Sequence, residues 1–142
     1  RGIPVMSHVG LRPQSMNVLG GFRARGRRKV VEDEIIANAI AAADAGSFAV
    51  VVEGTSAEIA EKVTKSIKIP TIGIGASEKC DGQILVTPDM LGQFERVPKF
   101  VKKFADMKGM IEGAAKEYAE QVKNRSFPAE VNTYKFKKYM SM

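Results

Sequence analysis

The segment Phe48-Ala49-Val50-Val51-Val52 constrains this chain more than any other. Its residues are apolar and rich in β-branched side chains, with no polar alternation. Such a run reads as a strand covered on both faces, which is the habit of parallel sheets. A strand of that kind needs helical neighbours, and the flanking sequence supplies them. Glu32-Asp33-Glu34 opens a helix with negative charge where the macrodipole favours it, Ile35, Ile36, Ala39, Ile40 and Ala43 form its apolar stripe, and Gly46 is a good C-cap. After the strand, Thr55 and Glu58 have capping-box spacing, and Ile59, Ala60, Val63 and Ile67 continue one helical face.

Ile3-Pro4-Val5-Met6, Pro70 to Gly75 and Gln83 to Val86 read as three further short strands. The link Ala76 to Gly82 is too short for a helical crossover and is expected to be one irregular turn. A long helix is expected from about Lys99 to Asn124, with Phe100, Phe104, Met107, Ile111, Tyr118 and Val122 as its buried stripe. Gly10 to Gly26, with Pro13 and Gly20-Gly21, reads as a loop. The order β-loop-α-β-α-β-β-α is that of an α/β protein with a parallel sheet.

With 142 residues, 44% of them hydrophobic and 27% charged, the chain suits one globular domain rather than disorder. Its longest apolar run is far short of the ~20 residues of a membrane span. A lone cysteine, Cys80, excludes an internal disulfide framework and a cysteine-rich zinc site, and suits a reducing cytosol. The chain opens on Arg1-Gly2-Ile3 with no initiator Met and no signal peptide, and reads as a piece of something longer.

The net charge of +6 is concentrated in Arg23, Arg25, Arg27, Arg28 and Lys29, and in a tail holding Lys123, Arg125, Lys135, Lys137 and Lys138. A nucleic-acid or membrane contact is one reading. A solvated loop and a frayed terminus are preferred, because Phe22 only borders the arginines and no aromatic residue lies between them.

Glu53 is the leading candidate for chemistry. It follows the apolar run directly, at the C-terminal end of a strand, where sites assemble in parallel α/β folds. An apolar wall desolvates such a carboxylate, and a desolvated carboxylate is a general base of use near neutral pH. The competing reading makes Glu53 a helix cap or a partner of a surface lysine. His8, the only histidine, stands in the equivalent place after the first strand, as a site residue or a structural hydrogen-bonder. Gly73-Ile74-Gly75 is not a dinucleotide fingerprint, since position 78 is glutamate. These glycines instead permit close backbone approach. Cys80-Asp81 reads as a structural turn.

Gly2 to Leu11, followed by Pro13-Gln14 and Asn17 to Gly21, resembles the fifth-strand motif of the ketopantoate hydroxymethyltransferase family. Phe48 to Glu53 resembles the sixth strand. Pro70 to Ala76 and Cys80 to Val86 resemble the seventh and eighth, and Lys99 to Lys102 and Ser126-Phe127-Pro128 the final helix and its exit. The resemblance runs from about Gly2 to Pro128. It departs at Ser7, where the family usually has Gly, at Gly54-Thr55-Ser56, where a Cys-Val-Pro-like run is usual, and at Ser77-Glu78-Lys79.

The resemblance implies a (β/α)8 TIM barrel of the phosphoenolpyruvate/pyruvate type, of which this chain carries strands 5–8 and the final helices. Residues 1–128 would be the C-terminal half-barrel and 129–142 a basic tail. It implies transfer of a one-carbon unit from 5,10-methylenetetrahydrofolate to 3-methyl-2-oxobutanoate, giving ketopantoate on the route to pantothenate. It implies magnesium as cofactor, with metal ligands on the first four strands and none in this chain. Glu53 falls on the general base and His8 on a substrate-pocket histidine. A cytoplasmic homo-oligomer is implied, needing the first half of the barrel for activity. The alternatives are another 2-oxo-acid enolising C–C lyase of the same superfamily, and a non-catalytic half-barrel that self-associates through its open edges.

Overall fold

The computed structural model describes residues 2–11 and 29–135. The arginine cluster at 23–28 and the lysines at 137 and 138 lie outside the described residues. The described chain divides into two compact units: Arg1–Val86 with Pro98–Val101, and Thr87–Val97 with Lys102–Met142.

The first unit is a four-stranded, all-parallel sheet in the order β1-β2-β3-β4. Its strands are β1 (Met6–Gly10), β2 (Ala49–Glu53), β3 (Thr71–Ile74) and β4 (Gly82–Gln83), with helices α1 (Lys29–Asp44) and α2 (Ala57–Ser66) in the first two crossovers. The register pairs Met6 with Ala49 and Gly10 with Glu53, then Val50 with Thr71 and Glu53 with Ile74. Strand alternation therefore sends Val9, Val50, Val52 and Thr71 to one face. There they meet Ile35 and Ala39 of α1 and Ile59, Ala60 and Val63 of α2 in a single core. Each fully buried Val or Ile contributes about 1.5–3 kcal/mol. Among the described residues no helix of the first unit covers the opposite face, which carries Met6, His8, Val51, Glu53 and Ile72; Met6 is 46% exposed. Continuous apolarity in β2 thus corresponds to one sealed face and one only partly covered.

Several boundaries differ from the sequence expectation. Strand β1 starts at Met6 rather than Ile3, because Pro4 has no N–H to donate and the ladder begins where Phe48 N–H bonds the Val5 carbonyl, at 2.9 Å. His8 is consequently inside the strand and not beyond it. Strand β2 ends on Glu53, as expected, and starts at Ala49, one residue after Phe48. Helix α1 begins at Lys29, ahead of the acidic triplet, and Lys29 reaches Asp33 at 2.9 Å. Helix α2 is capped by Ser56, whose hydroxyl accepts from Ile59 N–H, and not by Thr55. Glu32 of α1 accepts from Lys62 of α2, and that ammonium is the main reason its carboxyl sits below the ordinary glutamate range.

The link from β3 to β4 is the irregular turn that its length requires. Asp81 does what a crossover helix does elsewhere: its Oδ2 accepts from the backbone N–H of Thr71 at 2.8 Å and from the Thr71 hydroxyl at 2.9 Å. Thr71 is fully buried, at the entrance to β3. Those two bonds, the backbone one first, hold the Asp81 carboxyl below the usual aspartate range. Strand β4 is shorter than expected, and Ile84 N–H adds one further bond to the Gly73 carbonyl.

The second unit holds α3 (Thr87–Met90), α4 (Met107–Lys123) and a 3-10 turn, Glu130–Asn132. The long helix expected from Lys99 starts only at Met107. Phe104 N–H is spent on the Met90 carbonyl at 2.8 Å, and Asp106 caps α4 by accepting from Gly109 N–H at 3.0 Å. None of α4 is buried, so the expected stripe is largely uncovered among the described residues: Ile111 and Tyr118 are exposed, although the Tyr118 ring meets Phe127 edge-on at 5.6 Å.

Gly10 closes the β1–β2 ladder with φ +90°, and a Cβ there would stand 2.3 Å from the Glu53 carbonyl oxygen. Gly46 shares the left-handed backbone, at φ +92°, but a Cβ there would meet nothing within 4 Å. Gly46→Ala should therefore cost only the conformational strain, about 1–2 kcal/mol, whereas Gly10→Ala should cost clearly more in the same urea titration. Asp81→Ala takes the acceptor from the buried Thr71 N–H, while the Thr71 hydroxyl keeps the Thr64 hydroxyl at 2.9 Å, and should cost about 1–3 kcal/mol. Because the folded carboxyl is the more acidic one, its contribution is complete above the ordinary aspartate range and is lost as pH falls through the lowered value. Urea titrations of wild type and Asp81→Asn should accordingly converge as the solution is acidified.

Candidate active site

The C-terminal ends of β1, β2 and β3 lie side by side, as parallel pairing demands. Residues two apart on a strand share a face, so His8, paired with Val51, stands on the same face as Glu53. The side chains meet: His8 Nε2 is 3.0 Å from Glu53 Oε2. The imidazole is one-third exposed and the carboxylate 15% exposed, so the pair sits at the rim of the sheet and not in bulk water. His8 Nε2 is itself buried and forms no aligned hydrogen bond among the described residues. The ring N–H is at bonding distance from the carboxylate but directed off the line to it.

Backbone bonds fix Glu53 from both sides. Its carbonyl accepts from Leu11 N–H at 2.7 Å, and the next N–H, that of Gly54, donates to the Ile74 carbonyl at 2.9 Å. The carboxylate therefore projects from a strand end held by both neighbours. Such an arrangement suits proton transfer, because rigid elements place a base more accurately than loops do.

Two concavities border this region. One of about 280 Å³ lies between β1 and α1, lined by Ser7, His8, Glu34 and Asn38. A second, of about 810 Å³, opens at the ends of β2, β3 and β4, lined by Thr55, Gly75, Gln83, Lys99 and Phe100. The Thr55 hydroxyl is buried and has no partner among the described residues.

Both residues singled out from the sequence are thus brought together, and Cys80-Asp81 is kept apart from them. Cys80 is buried in the core, and Asp81 is occupied with Thr71. Gly73 gives room to the Gln83 side chain and the Cys80 sulfur, side-chain neighbours rather than the backbone approach expected of it. Sequence reasoning missed the wall formed by Glu34, Asn38 and Ala42. Their four-residue spacing marks one row of α1, but nothing in it signals a cavity. Of the basic clusters, Lys29 is spent on α1 and Lys135 pairs with Glu130.

The family described as ketopantoate hydroxymethyltransferase matches residues 1–130. The 3-methyl-2-oxobutanoate hydroxymethyltransferase of Sphingopyxis alaskensis is 54% identical over 134 residues, covering 94% of this chain and 47% of the relative. That of Erythrobacter litoralis is 58% identical over 134 residues, covering 94% and 46%. That of Caulobacter vibrioides is 53% identical over 138 residues, covering 97% and 50%. The chain spans about half the length of the curated relatives it matches. On a match that takes in nearly every residue of the sheet, the site and both compact units, the chain belongs to the ketopantoate hydroxymethyltransferase family.

Proposed function

We propose that this chain is part of a 3-methyl-2-oxobutanoate hydroxymethyltransferase in which Glu53 is the general base. The observation that carries the reading is the place of Glu53: the last residue of an inner parallel strand, held by backbone bonds on both sides and in contact with His8. The base removes a proton from C3 of the 2-oxo acid. The C–H bond breaks, an O–H bond forms on the Glu53 carboxylate, and the electron pair delocalises toward the keto oxygen. The resulting enolate attacks the one-carbon unit of 5,10-methylenetetrahydrofolate through its C3: a C–C bond forms, the two C–N bonds of that carbon break with their electron pairs left on the folate nitrogens, which take up protons, and water supplies the hydroxyl oxygen of the product. His8 stands beside the Glu53 carboxylate.

In this reading β1–β4 are strands five to eight of a (β/α)8 barrel. Four parallel strands with helices on one face support it, as do the half-open opposite face and the two end strands, β1 and β4, free to take further neighbours. The described residues do not fit a resident magnesium site. His8 and Glu53 offer one imidazole and one carboxylate, magnesium favours about six oxygen ligands, and no three His, Cys, Asp or Glu side chains converge among the described residues. No step is therefore assigned to a metal here. No helix among the described residues is long and apolar enough to cross a membrane.

The test is deuterium uptake at C3 of 3-methyl-2-oxobutanoate, followed by NMR in heavy water with the full-length protein. Glu53→Gln should lower the exchange rate by about 10²–10⁴-fold while leaving the thermal midpoint near that of wild type. Exchange at the wild-type rate would remove Glu53 from the role. The 142-residue chain alone should exchange no C3 proton.

A further inference from the structure

We propose that His8 is a positioning residue for Glu53: its Nε2–H holds Oε2 of the carboxylate and leaves Oε1 to take the proton. The inference rests on the reading of Glu53 as the base. Three observations carry it. First, the contact is 3.0 Å and is set by strand register, with His8 and Glu53 both inside paired strands. Second, Nε2 is buried, and Glu53 is its one charged neighbour within bonding reach among the described residues. A nitrogen buried against its own carboxylate is not available to bind a 2-oxo acid. Third, Oε2 is the Glu53 oxygen that stands against Nε2, so the two carboxylate oxygens are inequivalent before substrate arrives.

The tautomer follows from charge. A lone pair on Nε2 facing a carboxylate oxygen at this distance is repulsive, whereas an N–H there is attractive. His8 accordingly carries its proton on Nε2 and keeps it throughout. When C3–H breaks, the proton goes to Oε1, the electron pair goes to the enolate, and His8 exchanges nothing. Its work is orientational: it restricts rotation of the carboxylate about its last torsion. The off-line N–H in the free protein is the ordinary state of a catalytic hydrogen bond that tightens once substrate fills the pocket.

The experiment uses the full-length enzyme and separates kcat from KM for the 2-oxo acid. His8→Ala should lower kcat about 10–100-fold and leave KM within about twofold. His8→Gln, whose amide nitrogen reaches the Nε2 position, should recover most of that loss, and His8→Asn, one carbon shorter, should not. His8→Ala added to Glu53→Gln should cause no further loss, because the two act as one unit. A raised KM with unchanged kcat overturns the proposal in favour of direct substrate binding. Equal behaviour of the Gln and Asn variants, or additive losses in the double variant, also overturns it. If the alanine variant does not fold, the Gln and Asn pair decides the matter alone. Exchange retained by Glu53→Gln by itself is a separate outcome: it sinks the base assignment, and this proposal with it.

Discussion

Everything at this site depends on the register of the ladder between β1 and β2. Strand side chains alternate with a period of two, so a slip of one residue exchanges the faces of the whole strand. Burial of Val50 and Val52 against Ile59 and Val63 forbids that slip, since it would turn fully buried valines toward the uncovered face. Glu53 and His8 are passengers of this choice. The core decides which way Val52 points, and the residue after it then has to face the other way, beside the imidazole. The chemistry is thus placed by hydrophobic packing on the opposite side of the sheet.

The end of the ladder shows how closely the two strands are matched. At Gly10 the chain turns left-handed and passes the Glu53 carbonyl so tightly that a methyl group cannot be accommodated. Leu11 N–H then binds that same carbonyl. The backbone of the catalytic candidate is held by a neighbour whose missing side chain is what permits the approach.

The fold was legible in the sequence where one physical signal was strong. Unbroken apolarity in Val50 to Val52 announced a parallel strand, and the helical stripe of Ile59, Ala60 and Val63 announced the layer covering it. The two candidate residues were singled out by their position relative to those strands, and the structure places them in contact. What could not be read was decided by hydrogen bonds between distant residues. The start of α4 depends on Phe104 N–H bonding the Met90 carbonyl, and the cap of α2 on which of two adjacent hydroxyls reaches Ile59. The contact between His8 and Glu53 is of the same kind, since it follows from register, and register is a property of two segments and not of either one. The apolar residues of α4 misled for another reason: a helical period reports a face, and says nothing of what lies against it.

The Asp81–Thr71 clamp alters which parts of the chain are free to change. A crossover helix would bury a row of side chains against the sheet and bind the whole link to the core. Here the Asp81 carboxylate, buried Ser77 and Cys80 carry the connection, so Glu78 and Lys79 stay exposed and the crest of the turn is structurally inexpensive to rewrite. The constraint falls instead on those few positions and on Thr71. Because one of the two bonds comes from the backbone N–H of residue 71, which every side chain there retains, position 81 has to keep an acceptor whatever stands at 71, whereas position 71 answers only for the hydroxyl.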